Sequence, residues 1–100
     1  MTEVVWTLPA EADLDFIAEH IAKKGNPTAA IHVVRTIRND AAELTEFPRR
    51  GRRGRSPDTF ELVITTMPYI VVYQVLHDDV YVLRVWHQRQ SDEERQRGGH

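Results

Sequence analysis

The chain has no cysteine among its 100 residues, so it can build neither a disulfide framework nor thiolate chemistry. It has no apolar run near the roughly 20 residues that a bilayer-spanning helix needs. Its opening MTEVVWTLPAEADLDF carries acids where a secretion signal requires a basic segment and an apolar stretch. These absences lead us to expect a protein of the reducing cytoplasm with no membrane association. The histidines, His20, His32, His77, His87 and His100, show no HExxH or similar ligand spacing, so we expect neither metal nor cofactor. GRRGR lacks the lysine and the following helix of a phosphate loop, and no serine or threonine pairs with an obvious base.

What remains is globular in composition, 41% hydrophobic and 28% charged, at the size of one domain. The net charge of -2 conceals a strong polarity. Arg49, Arg50, Arg52, Arg53 and Arg55 fall within seven residues, and without them eight basic residues face fifteen acidic ones. Lysine would serve solubility equally well. Arginine interleaved with Gly51 and Gly54 suits planar anions, either phosphate or carboxylate, although a solvated surface loop has the same composition.

Periodicity places the elements around this loop. EVVWT is a short β-branched and aromatic run, read as a strand. Pro9 suits a first helical turn, and Ala10, Leu14, Ile17 and Ile21 recur on one helical face that Gly25 can end. Asn26 and Pro27 restart a helix with a second stripe at Ala30, Val34, Ile37, Ala41 and Leu44, and Pro48 stops it. Two amphipathic helices joined by about two residues form an antiparallel hairpin. After the arginines the period changes to FELVITT, YIVVYQVL and VYVLRVWH, three β-rich runs with short connections. The expected order is β-α-α-β-β-β, an α+β domain over 1–90 with the helical hairpin packed on an antiparallel sheet. The segment 91–100 is a polar tail without a stripe.

His87 ends the last expected strand, between Arg84 and Arg89. A strand end of that kind can hold a general acid or base beside a phosphodiester, and it can equally be a polar terminus. Glu11, Asp15 and Glu19 follow one exposed helical face. Trp6 and Trp86 read as core or core-edge residues.

The motifs in order are AEADLDFIAEHIAKKGNPTAA, FPRRGRRGR, DTFELVI, PYIVVYQV and VYVLRVWHQRQ. Together they resemble the RelE/ParE superfamily of type II toxin–antitoxin toxins over about residues 3–90. The resemblance implies a compact toxin fold and a cognate antitoxin whose flexible segment wraps and neutralises it. RelE-like members are ribosome-dependent endoribonucleases that cut mRNA in the A site, and Arg84, His87 and Arg89 would then be the catalytic set. The chain departs from that branch at Thr65, near where a catalytic arginine is common, and no tyrosine follows Tyr81. ParE-like members lack the nuclease set and typically poison DNA gyrase, and the long paired helices and LRVWHQRQ ending are closer to these. Under either reading the arginine loop, Arg49 to Arg55, is the expected antitoxin- or target-binding segment. A non-toxic module that docks an acidic partner is the remaining alternative.

Overall fold

The computed structural model describes residues 2–89, and the expected polar tail lies outside them. Strand β1 (Val4–Trp6) leads into α1 (Leu8–Lys23), which returns as α2 (Pro27–Ala42) and a 3-10 turn (Glu43–Thr45). A two-residue strand β2 (Arg52–Arg53) precedes β3 (Thr59–Val63), β4 (Tyr69–Leu76) and β5 (Asp79–His87).

Local chemistry explains each helix boundary. Thr7 caps α1: its hydroxyl accepts from the Ala10 amide at 3.4 Å and donates to the Val82 carbonyl at 2.7 Å. One side chain therefore starts the helix and pins that start to β5. Asn26 caps α2 by accepting from the Ala29 amide at 3.1 Å, with Pro27 at the first helical position. Between the helices Gly25 takes φ of 88°, which an L side chain resists.

The α1 stripe and the later part of the α2 stripe face the sheet as expected. Ala10, Leu14 and Ile17 of α1 join Ile37, Leu44, Leu62, Val71, Tyr73, Val80 and Val82 in one buried cluster. On β4, Val71 and Tyr73 belong to that cluster, so the alternating Ile70 and Val72 point to the opposite face, where they are buried too. Burial on both faces accounts for the continuous apolar character of YIVVYQV.

The sheet order is β1-β5-β4-β3-β2. The α+β class and the helical hairpin on a sheet are as expected, and two pairings refine the sheet. Strands β2 through β5 pair antiparallel, but β1 runs parallel to β5, with Val4 opposite Val80, so the sheet is mixed rather than wholly antiparallel. The direction follows from connectivity: the helical hairpin carries the chain across the sheet before β2 to β5 are laid down. The second refinement is β2 itself, which turns part of the arginine loop into an edge strand. Midway along β5 the register slips, leaving Leu83 unpaired between Val82 and Arg84; this bulge redirects the strand before it reaches the candidate site.

The β4–β5 connection uses His77 and Asp78 at φ of 51° and 68°, two consecutive left-handed residues as a primed hairpin turn requires. Neither is glycine. Asp78→Gly should therefore raise stability by about 0.5–1 kcal/mol, read as a higher urea midpoint at unchanged slope.

Candidate functional site

The arginine loop is built from five side chains with unequal roles. Arg50 pairs with Glu43 at the end of α2. Both groups are about half exposed, so the pair contributes at most about 1 kcal/mol. Arg52 is different: its Nε and Nη2 each lie 3.0 Å from Oε1 of Glu61, a carboxylate only 1% exposed on β3. A buried carboxylate needs a charged partner, and β2 supplies it. Arg55 places its guanidinium 5.1 Å from the centre of the Trp86 ring on β5. Arg49 and Arg53 are exposed, and among the described residues no ion pair or hydrogen bond holds either side chain.

Backbone approach locks this arrangement. The Gly51 amide donates to the Tyr73 hydroxyl at 2.9 Å. A Cβ at Gly51 would lie 2.7 Å from that hydroxyl and 2.8 Å from the Glu61 carbonyl oxygen. At Gly54 a Cβ would collide with the Thr59 side chain. The glycines are thus required by contact with β3 and β4. Burial pushes the Tyr73 phenol above its ordinary pKa, against the opposing pull of the Gly51 bond and the nearby Arg50 and Arg49 charges. Phe47, 61% exposed, sits beside Arg49 and joins an apolar surface to a free cation.

The strand-end trio is only partly assembled. Arg84 donates from Nε and Nη2 to Asp13 on α1, at 2.8 and 3.1 Å, and Asp13 also accepts the Val85 amide at 2.9 Å. This bidentate bond holds the Arg84 guanidinium above its ordinary pKa, against the opposing effect of desolvation. His87 accepts the Arg89 amide on Nδ1 at 3.1 Å, which assigns the proton of the neutral ring to Nε2. Its ring meets Tyr69 edge-on at 5.4 Å. Arg84 and His87 line one cavity, whereas Arg89 does not contribute to its wall. Thr65 is exposed in the turn after β3. Among the described residues no group of three His, Cys, Asp or Glu residues could hold a metal ion, and no helix is long and apolar enough to cross a membrane.

A second surface runs along the helical hairpin. Ala18, Ala30, Ile31 and Val34 floor a groove of about 450 Å³, with Arg35 and Arg38 at its rim. Arg38 grips Glu11 through two bonds of 2.9 and 3.0 Å and covers Trp6 at 4.9 Å, tying α2 to α1 and β1. The hydrogen bonds from Arg38 hold the Glu11 carboxyl below its ordinary pKa. Glu11 is thus a structural member of the acidic face rather than a free charge. Sequence reasoning missed Asp13, Glu61 and Tyr69. Each acquires its role from a partner on another element, and no spacing signal announces such a pair.

Comparison with known proteins places this geometry. Residues 4–92 match the family described as the ParE toxin of type II toxin-antitoxin system, parDE. A protein of Sinorhizobium fredii named toxin Y4kP is 42% identical over 86 residues, 86% of this chain and 88% of that protein. One of Caulobacter vibrioides named Toxin RelE2 is 33% identical over 87 residues, 87% of this chain and 96% of that protein. Among solved structures, one described as the chromosomal ParDE TA system from P. aeruginosa superposes with a TM-score of 0.79. It is 26% identical, over 87% of this chain and 96% of that one.

Proposed function

This chain belongs to the ParE toxin family of type II toxin–antitoxin systems, and from that premise we propose that it arrests growth by binding DNA gyrase and is held inactive by a cognate antitoxin. The observation that carries this choice is the engagement of the groups a nuclease would need. RNA cleavage by the 2′-hydroxyl requires an acceptor for its proton and cations for the charge developing on phosphorus. The Nδ1 lone pair of His87 is occupied by the Arg89 amide, so the neutral ring offers a donor rather than an acceptor. Arg84 has committed its Nε and Nη2 to Asp13. A surface of fixed, internally paired charges suits a protein contact better than phosphoryl chemistry.

Neutralisation follows from the two open surfaces. An antitoxin segment with apolar side chains fills the hairpin groove at Ile31 and Val34, and its carboxylates meet Arg49 and Arg53 beside Phe47. The known ParDE assembly whose toxin fold this chain shares supports an antitoxin as the partner.

The alternative, an mRNA endonuclease, is favoured by the relative named Toxin RelE2 and by the position of His87. Programmed ribosomes separate the two. A ParE-like toxin leaves the A-site codon intact. A-site cleavage that disappears in His87→Ala and Arg89→Ala would establish the nuclease instead. Induced expression without growth arrest would favour a non-toxic binding module over both.

A further inference from the structure

The cavity between α1 and the adjoining ends of β4 and β5 is lined by more hydrogen-bond donors than acceptors. Its volume is about 370 Å³, enough for one large side chain and its neighbours. Phe16, Ile17 and Val85 give it an apolar lining. Its one carboxylate, Asp13, already accepts three bonds, two from Arg84 and one from the Val85 amide.

Each of the remaining polar side chains can donate. Arg84 keeps Nη1 without a partner among the described residues. His87 presents Nε2–H because Nδ1 is taken. The Tyr69 phenol is protonated near neutrality, burial raises its pKa further, and its hydroxyl has no partner among the described residues. His20, stacked on Phe16 at 6.4 Å, adds a ring with no hydrogen bond of its own. Donors from three elements thus surround a space whose one carboxylate, Asp13, is already bonded.

We propose that this cavity binds a carboxylate borne on an apolar body: an acidic side chain of a protein partner, flanked by apolar neighbours. Charge separates this occupant from a nucleic-acid strand. The Arg84 cation is balanced by Asp13, and the same helix carries exposed Asp15 and Glu19. A polyanion gains little counterion release there and meets like charge, whereas a single carboxylate is satisfied by three or four donors. The site is separate from the arginine loop and does not depend on which target the toxin attacks.

The test is an NMR titration of the full chain with phenylacetate, 2-phenylacetamide and an RNA trinucleotide. Phenylacetate should saturate at a dissociation constant on the order of 1–10 mM, with shifts confined to Phe16, His20, Tyr69, Val85 and His87. The amide should bind about fivefold or more weakly, since it cannot satisfy the same donors with charge. Tyr69→Phe and His20→Ala, both at positions where the backbone tolerates the change, should each weaken phenylacetate by about threefold. The proposal is overturned if acid and amide bind equally, or if both variants bind like the parent. It is also overturned if the shifts fall on the arginine loop, or if the trinucleotide saturates these residues at lower concentration than phenylacetate.

Discussion

Changing Arg49 and Arg53 together to glutamate is expected to weaken the antitoxin complex by about 100-fold at low ionic strength, the equivalent of about 2.7 kcal/mol. These are the loop arginines whose side chains are exposed and make no ion pair or hydrogen bond among the described residues, so their charge is available to a partner. Each reversal removes one attraction to a carboxylate and adds one repulsion. The loss should fall mainly on the association rate and shrink as salt screens the surface. The thermal midpoint of the free chain should barely move, because neither side chain supports the fold. Arg52→Glu makes the contrast. It sets a second carboxylate against buried Glu61, so any weakening of the complex will come with loss of loop structure. Binding kinetics and thermal unfolding measured on both variants distinguish recognition from scaffolding.

Gly51→Ala should be strongly damaging, lowering stability by about 3 kcal/mol, or roughly 12–24 °C in midpoint for a domain of this size. The new methyl would sit 2.7 Å from the Tyr73 hydroxyl and 2.8 Å from a backbone oxygen of β3. Tyr73 is fully buried and stacked on Phe60 at 5.4 Å, so it has no room to retreat. Relief requires β2 to leave β3, which breaks the 2.9 Å bond from Gly51 to Tyr73 and uncouples Arg52 from Glu61. Tyr73→Phe alone removes one hydrogen bond and should cost about 1 kcal/mol. In the double variant the clash is partly relieved, so the combined loss should be smaller than the sum. Urea denaturation of the four proteins gives this coupling directly, and additive losses would mean that Gly51 and Tyr73 do not act as a pair.

The parts of the molecule differ in how far they can be read from residue order. The helices were legible because Leu14, Ile17 and Ile37 repeat at helical spacing and because Asn26-Pro27 carries its own cap. The three long strands were legible from their β-branched runs. The parallel pairing of β1 was not, since a three-residue strand finds its partner some 75 positions later through Thr7 and Val82. Strand β2 was hidden for a simpler reason: Arg-Arg has no apolar alternation, and its place in the sheet comes from contacts at Gly51 and Gly54. The same limit applies to the site. Composition marked the arginine cluster, but Glu43, Glu61 and Trp86 decide which of its members are spent within the fold. Arg84 stands in the sequence without an obvious partner, and the fold pairs it with Asp13, 71 residues away.

The most direct measurement is DNA gyrase supercoiling in the presence of purified chain, with and without its antitoxin. A ParE-like toxin should stop supercoiling or accumulate cleaved DNA at concentrations near that of the enzyme, and equimolar antitoxin should restore normal activity. Undisturbed supercoiling at saturating chain, together with A-site mRNA cleavage on programmed ribosomes, would contradict the proposed target and assign the protein to the nuclease branch.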